Sequence, residues 1–322
     1  MARTKRGARE ATNGADGATV EDLPRRLGLA EEMYRLKACL AEQVDRCDSE
    51  LREPLRWQLL GPSKYFRPMT VFACHRAVSS RPVSEGLLQS AAALELFHNV
   101  SLIVDDILDR SRYRRGKLTL HCRYGELPAL MTAGYLTADG FKLVASDPYS
   151  TRLLAELMQR LGAAECLQWR LRRQPLGVED WREIAAEDTG SMFEICARLG
   201  TRDDRLRTFG RLLGILYHGC DDVGDARGAS ALGGGGHADI RDGILTLPTA
   251  IAIRDPRVAV LFRTNGNSRT SLLTRKVAAA IPEAEKYLDQ IAEEDENEAL
   301  RTAARPKHLI DLVRYTRALS RS

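Results

Sequence analysis

From Leu27 onward the chain holds a single period. Apolar residues recur three and four apart, as in Leu87, Leu88, Ala91, Leu94 and Phe97. That spacing lines one face of an α-helix. Ala, Leu, Arg and Glu are abundant, and they lose little conformational freedom in a helix. The strict alternation of a half-buried strand is scarce. Breaks at Gly61-Pro62, Arg81-Pro82, Asp147-Pro148, Gly200, Gly233 to Gly236 and Asn265-Gly266 cut the pattern into helix-sized segments. The expectation is one all-α domain over residues 25–322, a helical bundle around a central cavity. Residues 1–24 show no apolar period and are expected to be a disordered tail.

Composition narrows the function. Against 44 Asp+Glu stand 48 Lys+Arg, a formal charge of only +4. A generic nucleic-acid binder needs a larger basic excess, so no nucleic-acid partner is expected. No run reaches the roughly 18 apolar residues of a membrane span, and no secretory signal is read near the N-terminus. The seven cysteines are odd in number and form no C-x-x-C pair. Reduced thiols in a cytoplasmic protein are expected, without structural zinc.

Two acidic clusters carry chemical information. Asp105, Asp106 and Asp109 close an apolar helical stretch, and Asp221, Asp222 and Asp225 close a second one with the same D-D-x-x-D spacing. In a helix, residues four apart share a face, so Asp105 and Asp109 lie one turn apart. Carboxylates crowded on an apolar face repel unless a cation lies between them. Carboxylates suit Mg²⁺, which keeps waters and bridges to substrate phosphates. Arg114-Arg115-Gly116 follows the first cluster with two fork-shaped cations suited to phosphate. Upstream, Lys64-Tyr65-Phe66-Arg67-Pro68 supplies more positive charge; with His98 and Arg115 it would complete a second anion site. Arg170, Arg172 and Arg173 read as a solvated helix face, and Trp57, Trp169 and Trp181 as packing residues.

With these motifs in this order, from about residue 59 to 253, the chain resembles the trans-isoprenyl diphosphate synthase (polyprenyl synthase) family, in style nearest its geranylgeranyl diphosphate synthases. Residues 62–68 look like its G-G-K-x-x-R-P, residues 97–116 like its first aspartate-rich block with the trailing R-R-G, and Asp221 to Asp225, Asp239 and Thr246-Leu247-Pro248 like its second block and tail. The resemblance implies the all-α isoprenoid synthase fold, usually a homodimer, with a hetero-oligomer as the other arrangement. It implies that Lys64, Arg67, His98 and Arg115 hold isopentenyl diphosphate. Asp105, Asp109 and Asp221 would ligate Mg²⁺ on the diphosphate of an allylic prenyl substrate, supported by Asp106, Asp222 and Asp225. Arg114 and Thr189 would contact the same diphosphate.

The implied reaction is Mg²⁺-dependent head-to-tail condensation of isopentenyl diphosphate with an allylic prenyl diphosphate. Val100 lies five residues before Asp105, where shorter-chain members often carry an aromatic ring. Phe97, one turn deeper, would then floor the cavity for a product near C20. Three lysines expected from the family are replaced by Asp188, Gly235 and Ile244, and Glu165 stands where a glutamine is usual. Arg227, His237 and Arg241 are candidate substitutes. Two other functions stay open at this point: a terpene cyclase ionising one prenyl diphosphate, and a weakly active regulatory subunit.

Overall fold

A computed structural model describes residues 23–61, 63–228, 238–264 and 270–321. The helices, in chain order, are α1 (Leu23–Arg26), α2 (Ala30–Arg46), α3 (Ser49–Leu59), α4 (Phe66–Val78), α5 (Glu85–Leu108), α6 (Leu120–Tyr124), α7 (Glu126–Leu143), α8 (Pro148–Leu171) and α9 (Val178–Ala185). After a π-helical turn at Ala186–Gly190 come α10 (Ser191–Thr201), α11 (Arg207–Ala226), α12 (Ala238–Asp242), α13 (Leu247–Ala252), α14 (Pro256–Arg263), α15 (Thr270–Ala279), α16 (Ile281–Thr302) and α17 (Lys307–Ala318). Among the described residues the strands are β1 (Tyr113–Arg114) and β2 (Lys117–Leu118), a small hairpin. The all-α expectation holds. Helix begins slightly earlier than expected: Leu23 lies in α1 and is buried. Residues 1–22 of the expected tail lie outside the described residues.

Local chemistry sets the helix starts. The Ser84 hydroxyl accepts from the Leu87 amide at the head of α5, and the Asp147 carboxylate from the Ser150 amide at the head of α8, where Pro148 occupies the first turn. The core forms where α5 packs on α7, where α10 lies against α4 and α11, and where α11 meets α16. Helix α5 is long and apolar enough to cross a membrane by length and composition, with a window of mean hydropathy 1.4. That window is 78% buried inside the protein, so α5 acts as its central core helix. Close approach of α11 to the π-helical turn needs glycine: a Cβ on Gly214 would stand 2.6 Å from the Gly190 Cα.

The cysteines are unpaired; Cys47, Cys74, Cys196 and Cys220 are buried, whereas Cys122 and Cys166 are exposed.

Candidate active site

The two acidic clusters sit at the C-terminal ends of α5 and α11. Asp105 and Asp109 of the first cluster and Asp221, Asp222 and Asp225 of the second line one cavity of about 860 Å³, together with Glu165, Asp188, Asp239 and Asp242. A helix C-terminus carries partial negative charge, so each added carboxylate there is disfavoured by about 0.3–1 kcal/mol. Burial adds to this cost. It holds Asp105 well above the usual carboxylate range, helped by Glu165 and Asp188. Burial and neighbouring carboxylates push Asp221 up to about 6, Glu165 and Asp239 to about 7, and Asp225 to about 8. Asp221 Oδ1 and Asp225 Oδ1 are buried with no hydrogen-bond partner. Such oxygens fit a cation. Among the described residues no three ligating side chains converge on one point. An ion here would therefore complete its shell with substrate and water oxygens, which suits Mg²⁺.

The members of each cluster are not equivalent. The Arg114 Nε donates to Asp106 Oδ1 at 2.8 Å, and Arg172 donates to Asp109 Oδ1 at 3.1 Å. Arg172 was expected on a solvated face. It instead lines the cavity, with its guanidinium 4.2 Å from the ring centre of Trp169. Trp169 is itself a cavity residue, 60% exposed, and not a packing residue. The β1–β2 hairpin explains the R-R-G sequence: Arg115 and Gly116 form its two-residue turn, both at positive φ (51° and 73°). A type I′ turn needs that geometry, which glycine meets without strain.

Asp222 is a structural acceptor. Its Oδ2 takes hydrogen bonds from the Trp181 indole N–H and the Leu247 backbone N–H, both at 2.8 Å. This explains Thr246-Leu247-Pro248: Thr246 caps α13, Pro248 lies in its first turn, and Leu247 turns its amide to Asp222. Trp181 therefore does more than pack. The π-helical turn carries Asp188 and Thr189. The Thr189 hydroxyl lies 3.2 Å from Asp188 Oδ2 and 3.0 Å from His218 Nδ1, so it is engaged within the wall. Sequence reading passed over His218, which lines the cavity 3.2 Å from Asp188.

The cations expected to hold a second anion gather near the acidic cavity, Lys64 close enough to feel both Arg115 and Asp221. Arg67 NH1 stands 3.0 Å from His98 Nε2, and its guanidinium lies 5.5 Å from the Phe193 ring centre. Burial and the flanking Arg67, Arg115 and Arg114 push His98 well below its usual range, so the ring is neutral. Burial and Arg115 also lower Lys64. The cations thus crowd one another, as expected of a site built for an anion. Glu95, buried behind them, is pushed up by burial to about 7 and accepts from the Ser63 hydroxyl at 3.3 Å. Reading for charge at the surface missed it.

Other expectations resolve differently. Phe97 is fully buried, its ring 4.9 Å from that of Phe141 and tight against Gly140. Neither Phe97 nor Val100 lines the open cavity, which on α5 reaches Asp105. The bundle holds the expected cavity, but its open part is lined mainly by charged groups. Of the candidate cations, Arg227 is turned to Glu285 at 2.8 Å and so is unavailable, while Arg241 lines the cavity paired with Asp242 at 2.9 Å. Gly235 and His237 lie outside the described residues. Ile244 lines the cavity and brings no charge.

Comparisons with known proteins point to one family. The nonaprenyl diphosphate synthase of Mycobacterium tuberculosis is 25% identical over 233 residues, 69% of each chain. Geranylgeranyl pyrophosphate synthase 3, chloroplastic, of Arabidopsis thaliana is 30% identical over 247 residues, 66% of this chain and 68% of that one. A polyprenyl synthase from Caulobacter crescentus CB15, solved with calcium and isoprenyl diphosphate, superposes with a TM-score of 0.83 at 21% identity, over 95% of this chain and 99% of that one. The sequence profile of the polyprenyl synthetase family matches residues 48–284, a span that contains both acidic helix ends and the cations beside them. The chain therefore belongs to the polyprenyl synthetase family, and its chemistry is prenyl transfer by chain elongation.

Proposed function

We propose that this enzyme condenses isopentenyl diphosphate head-to-tail with an allylic prenyl diphosphate, with Mg²⁺, to give a product near C20. The carrying observation is one cavity with acidic helix ends on both sides and a separate cluster of cations beside it. Only a condensing enzyme needs a place for a second diphosphate, which is why this reading is preferred to cyclisation of a single substrate.

Asp105, Asp109 and Asp221 would hold the metal. When bound, Mg²⁺ neutralises charge that develops on the departing diphosphate. Lys64, Arg67 and Arg115 bind the diphosphate of isopentenyl diphosphate, with neutral His98 orienting Arg67. The allylic C–O bond breaks, and the diphosphate leaves with the electron pair. The terminal alkene carbon of isopentenyl diphosphate bonds to the allylic carbon, and the resulting cation loses a proton to the departed diphosphate. The buried Phe97 supports a floor below the cavity, and prenyl growth would require the core around it to open. The exposed α7 residues Leu127, Leu130 and Met131, spaced three and four apart, support a homodimer.

The test is product analysis with Mg²⁺ and dimethylallyl, geranyl, farnesyl or geranylgeranyl diphosphate, with and without isopentenyl diphosphate. The expected result is a C20 diphosphate formed only when isopentenyl diphosphate is present, and longer products from Phe97→Ala. A hydrocarbon or alcohol formed from one allylic substrate alone would overturn the reading.

A further inference from the structure

The α5 side of the cavity has its basic groups in place, with Arg114 on Asp106 and Arg172 on Asp109. The α11 side is acidic: Asp188, Asp221, Asp222, Asp225 and Asp239 all line it. A polyanion resting there would be repelled unless a cation faced it. His218 is the imidazole within this wall. It lies one helical turn from Gly214, the position where α11 closes on the π-helical turn. Its Nδ1 stands 3.2 Å from Asp188 Oδ2 and 3.0 Å from Thr189 Oγ1. Its Nε2 stands 3.8 Å from Asp222 Oδ1, beyond hydrogen-bond distance. Asp222 Oδ2 is committed to Trp181 and Leu247, so the Asp222 side chain is fixed.

We propose that His218, oriented through Nδ1 by Asp188, binds the diphosphate of the allylic substrate through Nε2–H and supplies a cation to the α11 wall. The proposal deepens the elongation reading and rests on it. Two carboxylates around one ring favour its charged form. Burial opposes that charge, yet Asp222 and Asp188 prevail and the ring is pushed up to about 9. Asp188 stays below the usual carboxylate range despite its burial, because the His218 ring bonds to it. The pair thus removes one repulsive carboxylate from the site and offers one donor. It also accounts for an acidic residue at 188, where the family resemblance calls for a lysine: the charge comes from α11 instead.

The experiment uses the full chain with Mg²⁺. Calorimetry measures binding of geranyl thiolodiphosphate, an unreactive allylic analogue, and steady-state assays give KM for geranyl and isopentenyl diphosphates. His218→Gln is expected to weaken analogue binding about 10–100-fold, the worth of one charge-assisted hydrogen bond. KM for isopentenyl diphosphate should stay within about twofold. The double variant Asp188→Lys with His218→Gln should recover at least about tenfold, because an ammonium on the π-helical turn restores the charge. Unchanged analogue binding in His218→Gln, equal losses for both substrates, or no recovery in a folded double variant would overturn the proposal. If the double variant does not fold, His218→Arg decides: binding kept there and lost in His218→Gln supports the proposal, and parity between them overturns it. A wild-type chain that binds the analogue but makes no longer product would end the elongation reading alone.

Discussion

Asp221 and Asp222 are neighbours with opposite duties. Asp222 accepts from two buried donors, the Trp181 indole and the Leu247 amide. Asp222→Ala would leave both donors unpaired, at about 1–3 kcal/mol each. Denaturant unfolding should therefore show a loss of about 2–6 kcal/mol. Asp221 Oδ1 is buried without a partner, so Asp221→Ala should cost little stability yet lower turnover by about 10²-fold or more. Equal destabilisation by the two changes would refute the division of labour. The spacing D-D-x-x-D could not separate these roles. Position four apart is a local property of a helix, whereas the Asp222 donors come from α9 and α13, remote in sequence. The same holds for Arg172, which reaches Asp109 across 63 residues and so looked like an ordinary surface arginine.

At the scale of the element, the site is made of helix ends. The apolar period of α5 and α11 identified both helices and ended each at its aspartates, because the same side chains that bury a face also stop being apolar where the helix leaves the core. The π-helical turn was not legible: it adds a residue to the turn without a residue type that demands it, and extra turns of this kind gather at functional sites. The crowded helix ends have a pH consequence. The folded-state values of about 6, 7 and 8 for Asp221, Asp239 and Asp225 stand above the roughly 3.9 of an unfolded aspartate. The folded protein then binds more protons than the unfolded chain. These groups give their full stabilisation below about pH 4 and lose it as pH rises toward about 8. His218 adds to the same trend between about 6.5 and about 9. Metal-free protein should therefore show a falling Tm from pH 5 to pH 8, and Mg²⁺ with a diphosphate should recover most of the loss at pH 8. A Tm that does not fall over that interval would contradict the burial of these carboxylates.

At the scale of the molecule, an apolar stripe on α7 is uncovered among the described residues. Leu127, Leu130 and Met131 are 68%, 47% and 53% exposed on α7, whose other face packs on α5. If two copies meet there, sedimentation should give a dimer for the wild type and a monomer for Leu130→Asp with Met131→Asp. A wild-type monomer at micromolar concentration would remove that assembly. The sequence by itself determined the helical class, the two acidic helix ends and the order of the basic motifs, since each depends on residues a few positions apart. Only the tertiary structure decided which carboxylates are already paired, that Arg172 and His218 line the acidic cavity, and that Phe97 is closed into the core. Those facts depend on packing between distant helices, where burial and the approach of charges from other elements set the energy of every ionisable group.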